Sequence, residues 1–282
     1  MIVDAHQHFW SLARDDYGWL QPELTPLYRD FLPCDLEPLL RRSGISKTVL
    51  VQAAPTEAET EFMLELAFAN PFIGAVVGWA DMERPDFSRR LARLIDLGRG
   101  CLKGIRPMVQ DIPDPAWLAA PQLDASFQVL AESGLAFDAL VRPVHLPFLA
   151  ERLRRTPSLR VVIDHAAKPA IADGQFDDWR RALGKLAAES SVACKLSGLL
   201  TEAGAGWRSE TIRPYIETIL GHFGPERVLW GSDWPVLELA ADYESWLELT
   251  MEALSGLTAH DRSAVMGGNA WRFYQIDGEQ LP

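Results

Sequence analysis

The sequence predicts an α/β protein whose strands and helices close into one (β/α)8 TIM-like barrel. Short apolar runs recur about eight times, and each is followed by a segment with helical periodicity. The runs are apolar almost throughout, which is typical of parallel strands that are covered on both faces. A chain of 282 residues is long enough for one barrel of this kind, and no Gly-x-Gly-x-x-Gly follows the first run to favour an open dinucleotide-binding sheet. We therefore expect a single barrel domain over residues 1–282.

The strands are assigned to apolar runs that are bounded by Gly, Pro or polar residues. We expect them at Ile2–His8, Lys47–Ala54, Phe72–Ala80, Cys101–Pro107, Ala136–Val144, Arg160–His165, Val192–Ser197 and Val228–Ser232. Between the first strand and the first helix lies a long segment, Phe9 to about Pro33, that is rich in aromatic residues and has no clear period. Long loops in compact domains are often functional, so we expect this loop to border the site.

The helices follow from apolar residues at helical spacing and from signals at their ends. Gly44 fits the end of the first helix, and Thr56 with Glu59 three residues later forms the pattern of a capping box. We expect helices at Cys34–Ser43, Pro55–Asn70, Asp86–Leu97, Asp124–Ser133, Leu146–Thr156, Asp177–Glu189, Thr211–Phe223, Asp242–Leu254 and Ala259–Phe273.

Composition excludes several classes of protein. The net charge is −12 with acids and bases interspersed, which argues against a nucleic-acid partner. No apolar run approaches the length of a membrane span, and the N-terminus does not have the pattern of a signal peptide. Cys34, Cys101 and Cys194 are far apart, so neither a disulfide framework nor a cysteine zinc site is expected. We expect a cytoplasmic protein without a membrane partner, and a homo-oligomer is compatible with the sequence.

Two histidines end the first predicted strand. His6 and His8 are two residues apart, so their side chains point to the same side of an extended strand. Two convergent imidazoles suit a zinc-type ion, although two ordinary histidines at a surface strand end would give the same pattern.

Polar side chains also stand at the ends of nearly all the other predicted strands. In a (β/α)8 barrel the carboxyl ends of the strands form the active-site face. Each residue alone has a structural alternative: Lys103 and Lys195 could form ion pairs, Arg142 a salt bridge at the rim, and His145 a helix cap. Trp10, Trp79 and Trp234 lie at or beyond strand ends, where an aromatic ring can stack on a substrate. The strand-end groups are Gln52, Trp79, Asp81, Lys103, Arg106, Arg142, His145, Asp164, His165, Lys168, Lys195, Ser197, Asp233 and Trp234.

Four of these segments carry a resemblance to a known family. They are Val-Asp-Ala-His-Gln-His-Phe-Trp in the first strand, Lys-Gly-Ile-Arg in the fourth, Ile-Asp-His-Ala-Ala-Lys-Pro in the sixth and Trp-Gly-Ser-Asp-Trp-Pro in the eighth. In this order they resemble the amidohydrolase superfamily over essentially the whole chain. More narrowly, they are similar to the amidohydrolase-2 branch, which contains fuconolactonases, rhamnonolactonases and the pyrone-dicarboxylate lactonase.

The resemblance implies a distorted barrel of the amidohydrolase type with one divalent metal ion at most, zinc by analogy. His6 and His8 match the metal-binding pair of the first strand, while His165 and Asp233 match the sixth-strand histidine and the eighth-strand aspartate. The two-metal pattern is incomplete because His145 lies past the end of the fifth strand. Some relatives of this branch work without metal, so the resemblance leaves open whether this chain requires the ion.

The activity that the resemblance implies is opening of the ester ring of a sugar-derived lactone, such as L-fucono-lactone, to the sugar acid. We assign proton transfer from water and to the ring oxygen to Asp233, and polarisation of the carbonyl to His165. A metal-dependent decarboxylase of the same superfamily is the alternative, and a non-catalytic sugar- or metal-binding barrel is a further one. The residues expected to bind substrate are Trp10, Gln52, Trp79, Lys103, Arg106, Arg142, His145, Lys195 and Trp234.

Overall fold

The structure is a computed structural model that describes residues 1–276. Within this range eight parallel strands follow one another around a single sheet in chain order. They are β1 (Ile2–Gln7), β2 (Ile45–Val51), β3 (Ile73–Gly78), β4 (Leu102–Ile105), β5 (Ala136–Ala139), β6 (Arg160–Ile163), β7 (Ala193–Leu196) and β8 (Val228–Trp230). The predicted (β/α)8 barrel is confirmed.

The helices alternate with the strands, and every predicted helical segment is present among the described residues. They are α1 (Pro33–Ser43), α2 (Glu57–Ala69), α3 (Phe87–Gly98), α4 (Asp124–Glu132), α5 (Leu146–Arg155), α6 (Asp177–Glu189), α7 (Leu199–Ala203), α8 (Ser209–Phe223), α9 (Tyr243–Ala253), α10 (Ala259–Ser263) and α11 (Asn269–Phe273). None of these helices combines the length and the apolar character that a membrane span requires.

Most predicted boundaries shift by one to three residues, and two larger differences have a physical reason. The fifth strand stops at Ala139 because Pro143 fixes the start of a helical turn, Pro143–His145, that leads into α5. The final helix is not continuous, since a wider π-type turn at Ala264–Gly268 separates α10 from α11. The capping box is half formed: Thr56 accepts from the backbone N–H of Glu59, but the Glu59 carboxylate accepts from two other backbone N–H groups.

The barrel closes through residues that follow β8. The N–H of Asp233 donates to the carbonyl of His6, and the N–H of His8 donates to the carbonyl of Trp234, both at 2.8 Å. The buried Asp4 carboxylate reinforces this seam by accepting from the backbone N–H of Ser232 at 2.8 Å and from the Tyr243 hydroxyl at 2.9 Å. The closure therefore lies at the same end of the barrel as the candidate site.

An irregularity in β1 sets the direction of its side chains. The pairing of β1 with β2 shifts between Asp4 and Gln7, as a β-bulge does. Asp4 consequently contacts Ser232, whereas His6 contacts Lys195 inside the barrel. Without this shift, strict alternation would send Asp4 and His6 to the same side.

Small and branched apolar side chains fill the barrel interior below the site. They form a buried cluster with side chains of the C-terminal segment, among them Trp271 and Tyr274. A Cβ on Gly267 would lie 2.8 Å from the carbonyl oxygen of Met1, so this segment packs against the start of β1. The C-terminal segment thus plugs the end of the barrel opposite His6 and His8.

Candidate active site

The two histidines of β1 converge inside the mouth of the barrel. The Nε2 atoms of His6 and His8 are 3.1 Å apart. Nδ1 of His8 lies 2.8 Å from the carbonyl oxygen of Val51, which can only accept a hydrogen bond. His8 therefore carries its proton on Nδ1 and directs the lone pair of Nε2 toward His6, the arrangement that a metal-binding histidine adopts.

Asp233 brings a carboxylate to the same point. Its Oδ1 lies 3.7 Å from Nε2 of His6, 3.4 Å from Nε2 of His8 and 3.8 Å from Nε2 of His165. Oxygen and nitrogen ligands about 2.0–2.2 Å from a tetrahedral ion stand roughly 3.3 Å from one another. These three separations are slightly longer than that spacing, and the 3.1 Å between Nε2 of His6 and Nε2 of His8 is slightly shorter. One ligand atom from each of His6, His165 and Asp233 lies within 4.8 Å of the other two. The donor set fits one divalent metal ion.

The protonation of these groups suits the same role. Burial lowers the pKa of His165 to about 4, and burial also lowers the pKa of His6 and of His8. Burial alone would raise the pKa of Asp233, but the histidines that face it hold its pKa below the ordinary value. Near neutral pH the site therefore presents three neutral imidazoles and one carboxylate.

Two of the four side chains are held by strained backbone. His165 has φ 50° and ψ 36°, and Asp233 has φ 61°, which is the left-handed region that residues other than glycine seldom adopt. The His165 ring is fixed by a 2.9 Å hydrogen bond between Nδ1 and the Ser197 hydroxyl. A Cβ on Gly198 would lie 2.7 Å from the same Nδ1, so only glycine leaves room for this ring.

A buried ion cluster lies directly behind His6. Lys195 is fully buried, and its Nζ lies 2.5 Å from Oδ2 of Asp138, 3.0 Å from Oδ1 of Asp164 and 3.1 Å from Nδ1 of His6. The Tyr274 hydroxyl donates to the same Asp138 oxygen at 2.6 Å. Lys195 thus neutralises two carboxylates and supports the histidine from below.

Arg106 connects this cluster to the open side of the site. It donates to Oδ2 of Asp164 at 3.3 Å and to the backbone carbonyl of Gln52, while the Gln52 amide donates to the Arg106 carbonyl at 2.7 Å. Its buried Nε has no hydrogen-bond partner among the described residues. Arg106 therefore has one N–H group, at Nε, that is not used in a hydrogen bond among the described residues.

A cavity of about 210 Å³ opens over these groups. It combines positive charge from Arg106 and Lys168 with the carboxylates of Asp111 and Asp233. Its lining residues are His8, Trp19, Ala53, Arg106, Met108, Gln110, Asp111, Leu140, His165, Lys168, Asp233 and Val236. We call this space the catalytic cavity.

Some residues that were expected to bind substrate lie behind the catalytic cavity. Lys195 and Gln52 are fully buried and hold His6 and Arg106 respectively, as the structural alternative for Lys195 proposed. His145 is buried and its Nδ1 accepts from the backbone N–H of Arg142, which is the helix-cap alternative. In these contacts the three side chains bind other groups of the protein, and their direct binding of substrate stays a prediction.

Other expected residues lie away from the catalytic cavity. Trp10 is fully buried and donates to the Arg29 carbonyl, and Trp234 is buried and donates to Glu238. Lys103 is the second residue of β4, near the amino end of the strand, whereas Arg106 follows its carboxyl end, where the catalytic cavity lies. Two further residues do not line the catalytic cavity either: the exposed Arg142, and Trp79, which lies in an adjoining groove.

The sequence did not single out several residues that the structure brings to the site. Asp138 lies within a short apolar strand, where an aspartate is costly to bury unless it is paired, and this was an available signal. Trp19 lies in the loop after β1, packs edge-on against Trp10 at 5.3 Å and lines the catalytic cavity. No periodicity marks it, because the loop path depends on contacts between distant aromatic residues.

The chain was compared with known proteins. The profile of the family described as Amidohydrolase matches residues 3–276. An L-fucono-1,5-lactonase from Burkholderia ambifaria is 46% identical over 279 residues, which cover 98% of this chain and 96% of that protein. An L-fucono-1,5-lactonase from Burkholderia multivorans is 39% identical, with 97% and 96% covered. A crystal structure of an amidohydrolase from Burkholderia multivorans with bound zinc superposes with a TM-score of 0.92 at 38% identity, with 98% of this chain and 100% of that chain covered.

Proposed function

This chain belongs to the amidohydrolase family, and from that premise we propose that it hydrolyses the ester of a sugar-derived lactone to give the sugar acid. The observation that carries the proposal is the meeting of the Asp233 carboxylate with three neutral histidines at the floor of the catalytic cavity. Because relatives at 46% and 39% identity are L-fucono-1,5-lactonases, L-fucono-1,5-lactone is the first substrate to consider.

Asp233 is proposed to move the proton. A water molecule attacks the lactone carbonyl carbon and gives its proton to the carboxylate, which is ionised at neutral pH because its pKa is low. The bond between the carbonyl carbon and the ring oxygen then breaks, and the protonated Asp233 returns the proton to that oxygen. One water is consumed, and the product is an acid that releases a proton at neutral pH.

Positive charge on the cavity wall is proposed to stabilise the oxyanion. Arg106 and Lys168 both line the catalytic cavity, and Arg106 has an unpaired Nε–H. Donors that are fixed before the reaction stabilise developing negative charge without rearranging. The hydrogen bonds from Arg106 to Gln52 and Asp164 supply that fixation.

We propose that the site holds one divalent metal ion, and that this ion is zinc. Its ligands would be His6, His8, His165 and Asp233. When bound, such an ion would polarise the carbonyl and make water more acidic. His165 is the side chain of this set whose ring is fixed from behind by the Ser197 hydroxyl, so its Nε2 keeps one direction. The neighbouring Lys195 and Asp164 fix His6 in the same way.

The decarboxylase alternative has the weaker support, because both relatives at 39–46% identity carry a lactonase name. We further propose a cytoplasmic location, in keeping with three cysteines that are far apart in the sequence and form no motif of a disulfide framework.

The test is hydrolysis of a panel of aldonolactones, including L-fucono-1,5-lactone, followed through the released acid with a pH indicator. Each lactone is assayed with zinc supplied and with a chelator, and spontaneous hydrolysis is subtracted. Turnover of at least one sugar lactone supports the proposal. If no lactone is hydrolysed with metal supplied while a dihydroxybenzoate loses carbon dioxide, the decarboxylase alternative replaces it.

A further inference from the structure

A second cavity, which we call the outer groove, adjoins the catalytic cavity. It has a volume of about 540 Å³ and shares the lining residues Trp19, Met108 and Asp111 with the catalytic cavity. The catalytic cavity, at about 210 Å³, is smaller than the roughly 300–1,000 Å³ typical of small-molecule sites. The two spaces together form a site that extends beyond the position of the reacting ester.

The outer groove is walled by three tryptophans. Trp19, Trp79 and Trp117 all line it. Nε1 of Trp117 donates to the carboxylate of Glu83 at 3.2 Å, and Nε1 of Trp19 donates to the Ala53 carbonyl at 2.7 Å. These hydrogen bonds hold the two indoles in place. Fixed aromatic surfaces suit a flat, partly apolar group such as a sugar ring.

The charge of the outer groove differs from that of the catalytic cavity. Its ionisable lining residues are Asp16, Asp81, Glu83 and Asp111, and no Lys, Arg or His is among the described residues that line it. Carboxylates accept hydrogen bonds from hydroxyl groups and repel anions. The groove thus favours a neutral, hydroxylated group over a phosphate or a second carboxylate.

The far rim of the groove reaches solvent. Gly18 and Glu83, which line the groove but not the catalytic cavity, are exposed, whereas Trp117 is buried. A group that is attached to the lactone ring can therefore enter the groove from the catalytic cavity and leave its remote end in water.

We propose that the outer groove is a second sugar subsite, which receives a neutral glycosyl group attached to the lactone ring. This inference rests on the proposed lactonase function and extends its substrate class to glycosyl-aldonolactones. Such lactones arise when the reducing end of a neutral oligosaccharide is oxidised, so a reaction of that class would supply the substrate.

The experiment compares single-ring aldonolactones with lactones made by oxidising neutral disaccharides of several linkages. The quantity measured is the ratio of kcat/KM for the glycosylated lactone to kcat/KM for the single-ring lactone. We expect at least one linkage with a ratio of one or above. Ile112→Trp, which fills the groove, should lower this ratio about tenfold through KM, since a lost sugar contact of about 1.4 kcal/mol changes affinity tenfold. Val144→Trp, at a position that is 57% exposed and outside the groove, should leave the ratio unchanged.

The second part of the experiment uses a negatively charged substrate to test the charge of the outer groove. A disaccharide lactone that ends in a uronic acid should be used about tenfold less well than its neutral counterpart, because it meets only carboxylates in the groove. Hydrolysis of single-ring lactones without any glycosylated one would overturn the subsite and leave the lactonase function standing. Equal loss for both substrates in Ile112→Trp would also overturn it. If no lactone of either kind is hydrolysed, both the function and the subsite fail.

Discussion

Replacing Gly198 by alanine tests whether the position of His165 matters for the reaction. Gly198 has φ 69°, and a Cβ added there would lie 2.7 Å from Nδ1, 2.8 Å from Cγ and 2.9 Å from Cβ of His165. Those atoms belong to the base of the ring and not to the end of a flexible side chain. The ring must therefore move by several tenths of an ångström and lose its hydrogen bond to Ser197.

The expected effect has two parts. A non-glycine residue in the left-handed region costs about 1 kcal/mol, and forcing extra volume into a packed site costs a further 1–3 kcal/mol. We expect Gly198→Ala to lower the free energy of unfolding by about 3 kcal/mol. A displaced catalytic group can cost about 10²-fold in rate, so kcat/KM should fall by that order.

Gly44 provides the matched control. It has nearly the same backbone conformation, φ 67° and ψ 25°, and nothing lies within 4 Å of a Cβ added there. Gly44→Ala should lose only the backbone contribution of about 1 kcal/mol and keep its activity. Denaturant unfolding and lactone kinetics are measured on both variants. Equal stability losses, or full activity in Gly198→Ala, would refute the argument.

Three further outcomes follow from the buried charges. Burial raises the pKa of Glu59 from 4.5 to about 8, so between these pH values the native state holds a proton that the unfolded state has lost. The free energy of unfolding should therefore fall by a few kcal/mol as the pH rises from 4.5 to 8. Denaturant titrations at each pH should show a smaller fall for Glu59→Gln. Lys195→Met leaves the buried Asp138 without its cation and Asp164 with Arg106 alone, and should cost about 3–5 kcal/mol in the free energy of unfolding. Lys185→Met, at an exposed position, should cost less than about 0.5 kcal/mol. Zinc at a hundred times its dissociation constant should stabilise the protein by about 2.7 kcal/mol in thermal unfolding. His8→Ala should reduce this gain and His145→Ala should keep it, and an undiminished gain in His8→Ala would remove His8 from the set of metal ligands.

The sequence predicted best where one local rule fixes the outcome. Apolar runs and helical periods predicted every strand of the described barrel and every α-helix except the short α7, and the two-residue spacing brought His6 and His8 to one face. Because parallel strands all end at one face of a barrel, strand-end polar residues also placed His165 and Asp233 beside them.

The sequence predicted less where contacts between distant segments determine what a side chain binds. Whether Lys195 meets a substrate or a carboxylate depends on Asp138, which lies two strands away in the barrel. Trp10 and Trp234 follow strands as expected, but the loop after β1 folds back and buries both against Phe31. The groove that contains Trp79 arises in the same way, because Trp19 of that loop forms part of its wall. None of these contacts produces a periodic pattern of apolar residues in the sequence.

The most direct test of the central claim is kcat/KM of wild type and of Asp233→Asn on L-fucono-1,5-lactone, with zinc supplied and folding verified by thermal unfolding. An asparagine keeps the shape of the side chain but cannot take a proton from water. Since general acid–base catalysis contributes about 10²–10⁴-fold, and Asp233 also stands among the metal-binding groups, the account predicts a loss of at least about 10³-fold. A folded Asp233→Asn that retains activity within tenfold of wild type would contradict it.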